Sequence, residues 1–235
     1  SVLRHREFRL LWLALGGSVL GDMIVLTALA LYVTDLTGDP SDLGLVLTSQ
    51  SLPLVGLLLV GGVVADRLPR HRVLLATDVV RGAVQAGLAV LVFLDATQVW
   101  HLVVAGLLFG SAEAFARPSS TGLVPQTVPD GEVQAARALV GMTENLAEIG
   151  GPAIGTALVV GVSAGAAFAA DAATFAISAL LLARVRPRDR SADRAAAMTV
   201  VEEAREVGWR AELRVGWVEF RARTWVWLTV VGACT

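Results

Sequence analysis

Residues 8–33 read FRLLWLALGGSVLGDMIVLTALALYV, and this run decides the solvent in which the chain folds. A helix rises ~1.5 Å per residue, so about 20 apolar residues cross the ~30 Å of hydrocarbon in a bilayer. Residues 8–33 exceed that length. They are too long for a signal-peptide core and no small-residue cleavage pattern follows, so they read as a retained transmembrane helix. Near the middle of the run, between Gly21 and Met23, stands an acid, Asp22.

The same block length recurs along the chain. Further spans are expected at residues 43–65, 73–94, 99–116, 138–162 and 164–183. Composition agrees: of 235 residues, 55% are hydrophobic and 17% charged, with a mean hydropathy of +0.66. A soluble domain carries about 25% charged residues to cover its surface. The net charge of -2 argues against nucleic acid, because phosphate binding needs a basic stripe. All 19 basic residues are arginine, which in an Ala/Val/Leu/Gly-rich chain reflects a GC-rich genome rather than chemistry and points to a bacterial source. The single cysteine, Cys234, leaves no disulfide or thiol metal site, and His5, His71 and His101 have no ligand partner at useful spacing. Neither a metal nor a cofactor is expected.

The arginines mark orientation. Arg4, Arg6 and Arg9 precede the first span, Arg67, Arg70 and Arg72 separate the second from the third, and Arg184, Arg186, Arg188 and Arg190 follow the sixth. The intervening connections hold Asp35, Asp39 and Asp42, then Asp95 and His101, then no charge. Under the positive-inside rule the amino terminus is cytoplasmic in a multi-pass protein of the plasma (inner) membrane. Between the fourth and fifth spans Arg117 and Arg137 are offset by Asp130 and Glu132, and Pro118, Pro125 and Pro129 predict an ordered non-helical crossing.

Residues 1–184 thus form one six-span bundle. Residues 185–223 read as a cytoplasmic amphipathic linker: Thr199 and Glu202 resemble a capping box, apolar residues then recur at helical spacing, and Trp209 and Trp217 suit the headgroup layer or the body of the protein. Residues 224–235 begin a seventh span, but the 11 residues from Trp225 would reach only ~16 Å as a helix. The chain is therefore expected to be part of a longer gene product.

The connection after the second span, Gly62-Val-Val-Ala-Asp66-Arg67-Leu68-Pro69-Arg70-His71-Arg72, resembles the loop signature of the major facilitator superfamily. Gly62, Asp66, Arg67, Arg70 and Arg72 match the pattern. Pro69 stands where the pattern has a second glycine, and its negative φ forbids a left-handed turn there. The resemblance implies a salt-bridged latch between two transporter halves; read from the residues alone, the arginines could simply hold the loop at the inner surface. In the fifth span, Gly150-Gly151-Pro152-Ala-Ile-Gly155 resembles the glycine-proline signature of antiporters in that superfamily, with Gly151, Pro152 and Gly155 as its core, although small residues also serve close helix packing. Phe115-Ala-Arg117-Pro118, Leu123-Val-Pro125 and Asp171-Ala-Ala-Thr-Phe175 are similar to stretches of the macrolide-efflux and enterobactin-exporter branch of drug:proton antiporters. The resemblance implies an all-α membrane fold, a major-facilitator-type six-helix bundle plus the start of a seventh helix, with the first and fourth spans along a central cavity.

An acid in a span costs ~2.5–3.5 kcal/mol on insertion scales, so one that persists lines a cavity or pairs. Asp22 is the clearest case. Glu113 and Arg117 are four apart in the fourth span and share a helical face. Asp22 or Glu113 is the expected carrier of a coupling proton, since burial and a neighbouring arginine act on a carboxylate in opposite directions; the alternative is a permanent structural pair. Glu144 and Glu148 could serve a gate or simply face water, and Asp171 is expected to hydrogen-bond a neighbouring helix. No Ser/His/Asp or paired-His arrangement lies within a span, so an enzyme ranks last.

The expected function is proton-coupled export of drug-like or siderophore-like small molecules by alternating access, with the lipid bilayer, the substrate, protons and a missing carboxy-terminal half as partners. A proton-coupled nutrient importer and a non-transporting membrane scaffold or regulatory subunit are the rivals.

Overall fold

The computed structural model describes residues 2–187. Most of the expected linker, and all of residues 224–235, lie outside them. The described chain forms six long helices: α1 (Arg6–Thr37), α2 (Pro40–Arg67), α3 (Arg70–Phe93), α4 (Val99–Leu123), α5 (Val133–Gly161) and α6 (Ala164–Leu182). Five are long and apolar enough to cross a membrane. The other, α5, has 29 residues and the length to span, but Glu144, Asn145 and Glu148 lower its hydropathy.

Local chemistry sets the turns. Gly38, at φ 68°, ends α1 in the left-handed conformation that costs glycine least, and its N–H bonds the Thr34 carbonyl. Asp39 then caps α2, its carboxylate accepting the Ser41 N–H at 2.9 Å ahead of Pro40 in the first turn. Those bonds from Ser41 hold the Asp39 carboxyl below its ordinary range. Leu68 and Pro69 join α2 to α3 through extended backbone at φ -103° and -59°, so this loop turns without any positive φ.

The expected crossing at Pro118 is corrected. Pro118 lies inside α4, which runs to Leu123, and the non-helical crossing begins with single 3-10 turns at Val124–Thr127 and Asp130–Glu132. A proline removes the N–H that would bond the carbonyl four residues back, here that of Ala114. Gly61 of α2 lies directly against that carbonyl, so close that a Cβ could not fit. A Cα–H contact from the neighbouring helix thus meets the freed oxygen, which is how a membrane bundle tolerates an internal proline.

In the bundle, α1 packs on α5 and α6, α2 on α4, and α3 on α4 and α6. Lipid gives no hydrophobic drive between helices, so close backbone approach does much of this. On α4, Gly106 and Gly110 face Ser49 and the Gln50 carbonyl of α2. Gly110→Ala is expected to wedge α2 from α4 at a cost of about 1–3 kcal/mol. Gly150→Ala, where nothing stands within 4 Å, is expected to leave stability unchanged. Thermal unfolding of both variants in detergent checks the contrast.

The interior has a vertical order. One apolar cluster gathers Phe8, Leu11, Leu74, Leu123, Val128 and Leu182 at the arginine-rich face. A second gathers Val33, Leu88, Val92, Leu102 and Phe168 toward the other face. Between them, on α1, α3, α4 and α6, lie the polar residues.

Candidate functional site

The polar layer is organised by α3, where Asp78, Arg81 and Gln85 recur at helical spacing on one inward face. Arg81 is its hub. Nη2 lies 2.7 Å from Asp78 Oδ1, while Nη1 lies 3.8 Å from Asp22 Oδ2 of α1 and 3.6 Å from Glu113 Oε2 of α4. The Arg81 side chain is only 7% exposed, and its guanidinium stacks 4.4 Å from the Phe175 ring centroid and 5.6 Å from that of Phe109. Aromatic faces suit a weakly hydrated guanidinium, whose fork can address several carboxylates at once. Asp78 is anchored independently, since its Oδ2 accepts the Ser178 hydroxyl of α6.

Glu113 is shared. Its Oε1 accepts from Arg117 Nε at 2.8 Å, and Arg117 is largely exposed. Asp22 is held more loosely, and its Oδ1 has no hydrogen-bond partner. Asp171 is fully buried; Oδ2 accepts Gln85 Nε2 at 2.7 Å and Oδ1 accepts the Thr174 hydroxyl at 3.2 Å, which ties α6 to α3. The layer therefore holds four carboxylates, Asp22, Asp78, Glu113 and Asp171, around two guanidiniums, Arg81 and Arg117.

A cavity of about 250 Å³ opens onto this layer. Asp22, Glu113 and Arg117, the residues singled out by sequence, all line it, with Gln50 and Gln85 as neutral polar groups and Leu26 and Phe109 among the apolar ones. An apolar pocket with a few convergent polar groups is the usual form of a small-molecule site. Sequence reasoning does not single out Asp78, Arg81 or Gln85. Their signal is the spacing i, i+3, i+7 of polar residues in an otherwise apolar span. Glu144 and Glu148 are exposed on α5 and do not line the cavity.

The loop signature divides in two. Arg70 lies 2.8 Å from Asp66 and donates to the carbonyls of Ala65 at 3.3 Å and Gly122 at 2.7 Å. Gly122 permits this, because a Cβ there would fall on the guanidinium. Within the described residues Arg70 thus pins the end of α2 to the end of α4. Gly62 meets nothing within 4 Å, and Arg67 and Arg72 are exposed. Arg70→Ala is expected to cost about 1–3 kcal/mol, since carbonyls it served are left partly unpaired. Thermal unfolding, with cysteine cross-linking between the ends of α2 and α4, measures the loss.

In the glycine-proline motif, Gly151 and Gly155 press on Met23 and Ile24 of α1, on either side of Pro152. The motif therefore seats α5 against α1 at the two residues that follow Asp22. At the arginine-rich face, Arg4 reaches Glu132 at 2.6 Å, and the hydrogen bond from Arg4 holds the Glu132 carboxyl below its ordinary range.

A family model described as transmembrane secretion effector matches residues 1–219. The chain belongs to this family of major facilitator transporters. An MFS-type transporter of Bacillus subtilis, YfiS, is 28% identical over 194 residues, which cover 79% of this chain and 45% of YfiS. Macrolide efflux protein A of Streptococcus pyogenes is 22% identical over 180 residues, covering 77% of this chain and 44% of that protein. The chain spans less than half the length of these curated relatives. As a member of this family the chain is a multi-pass membrane protein, and the exposed Leu52, Val55, Leu59 and Ile149 are apolar surface of the kind a bilayer or a packed helix covers.

Proposed function

We propose that this chain is the amino-terminal half of a proton-coupled exporter of drug-like or siderophore-like small molecules, set in the bacterial plasma membrane with its amino terminus in the cytoplasm. The observation that carries the reading is a surplus of carboxylate over guanidinium at mid-height, open to a cavity. In a low dielectric such a surplus has to be relieved by a proton or by a positive group on a bound molecule. Asp22 and Glu113, which line the cavity and share Nη1 of Arg81, are the groups on which that exchange falls. Arg81 stays on Asp78 whichever of the two is neutralised, so the hub itself need not leave its aromatic seat.

Export rather than import is favoured by the mostly apolar lining of the cavity and by the name of the macrolide-efflux relative. A second six-helix half would supply the opposite wall, with the two rocking about the mid-height site. The exposed face of α2 and the free Gly62 are then where that half docks, and this chain alone does not transport.

The test is a drug-susceptibility and fluorescent-dye panel on cells expressing the uninterrupted gene, with and without a protonophore. Energised efflux of one or more compounds that collapses with the protonophore is the expected result. Efflux indifferent to the protonophore removes proton coupling, and a panel with no effluxed compound removes export.

A further inference from the structure

Among the four carboxylates of the layer, Asp171 differs in its surroundings. Asp78 has Arg81 at 2.7 Å, Glu113 has Arg117 at 2.8 Å, and Asp22 has Arg81 at 3.8 Å. Asp171 is fully buried yet forms no ion pair among the described residues, and its side-chain partners, Gln85 and Thr174, are neutral. The charged and titratable groups around it are few. On α1, Asp22 is the next residue to Gly21, whose missing side chain makes room for the Asp171 carboxyl. On α3, Arg81 is engaged with Asp78 and lies beyond ion-pair distance of Asp171. On α4, Glu113 points to the cavity and is paired with Arg117; on α5, Glu144 and Glu148 are exposed. On α6 itself, Thr174 and Ser178 are hydroxyls.

A buried carboxylate with no cation is the costly state, whereas a carboxylic acid needs only hydrogen-bond partners. A partner is at hand. Gln85 Oε1 is buried without one. The oxygen and nitrogen of a glutamine amide exchange places by a half-turn of its terminal torsion, so Gln85 can donate to a carboxylate or accept from an acid hydroxyl.

We propose that Asp171 is a resident neutral acid: it keeps its proton through the cycle, donating it in a hydrogen bond to Gln85, and is not one of the groups that exchange protons with the cavity. With Asp171 neutral, three carboxylates face two guanidiniums, so a single positive charge balances the layer. This deepens the reading of the site as proton-coupled, because it sets the exchange at one charge and leaves it to Asp22 and Glu113.

Infrared difference spectroscopy tests it on the purified chain in lipid nanodiscs, read in the carboxylic-acid carbonyl region and independent of transport. The wild type at neutral pH is expected to show protonated-carboxyl absorption with one component that Asp171→Asn removes and Asp22→Asn retains. If Asp171→Asn does not fold, Gln85→Ala serves, and its loss of the hydrogen bond is expected to shift the band to higher frequency. A wild-type spectrum without the band, a band lost in Asp22→Asn but kept in Asp171→Asn, or a band unmoved by Gln85→Ala overturns the assignment. A protein whose efflux proves indifferent to a protonophore would still show the band, so failure of proton coupling and failure of this assignment are told apart.

Discussion

Arg81→Met is expected to be among the most damaging single changes in the bundle, lowering stability by about 3–5 kcal/mol, the cost of removing one partner from a buried ion pair. The reason is the number of groups it serves. Asp78 at 2.7 Å, Glu113 at 3.6 Å and Asp22 at 3.8 Å all lose their shared cation, and Phe175 loses the guanidinium that covers its ring. Arg81→Lys is expected to rescue little, since an ammonium has no planar fork to address separate carboxylates and binds less well between aromatic faces. Removing Asp78 as well, in Arg81→Met/Asp78→Leu, is expected to recover part of the loss, because the most buried unpaired charge goes with it. Thermal unfolding in detergent, read alongside the monodisperse fraction, ranks the three variants. Equal stability of Arg81→Met and wild type would mean that the cluster is not what organises the interior.

Asp22→Asn is expected to abolish proton-driven efflux by the full-length protein while membrane insertion stays intact. Asn keeps the shape and the hydrogen-bonding capacity of the acid but cannot take or give up a proton. Asp22 is the better placed of the two cavity acids for exchange. Glu113 is clamped by Arg117 at 2.8 Å, whereas Asp22 holds Arg81 only at 3.8 Å and leaves Oδ1 unpartnered. Expression level and dye efflux, measured in the same cells, separate loss of function from loss of protein. Unchanged efflux would remove Asp22 from the mechanism.

Much of the fold was legible because lipid imposes a simple rule: a block of about 20 apolar residues is a helix. All six helices fall on the blocks read from sequence, and their ends differ mainly where caps and prolines intervene. Pro118 misleads for a physical reason. In water a proline ends a helix more often than it sits inside one, but in a bundle the freed Ala114 carbonyl is met by Gly61 of another helix, and no local pattern reveals that contact. The site was partly legible. Asp22, Glu113 and Arg117 stand out as charges in apolar runs and do share one cavity. Asp78 and Arg81 already lie inside the expected span at residues 73–94 and carry that same signal, but nothing local shows that Arg81 gathers Asp78, Asp22 and Glu113 from three helices. Which partner each carboxylate takes was not legible at all. It depends on which helix faces bring Ser178, Gln85 and Arg81 together, across sequence separations of up to 100 residues.

We propose that the mid-height layer exchanges protons against substrate. The most direct test is proton release from the purified full-length transporter in weakly buffered detergent solution on addition of a compound it effluxes, followed with a pH-indicator dye. Release by the wild type is expected, about one proton for each compound bound if Asp171 remains neutral, and none by Asp22→Asn. Tight binding of the compound by the wild type with no change in proton activity at any pH from acid to alkaline would contradict it.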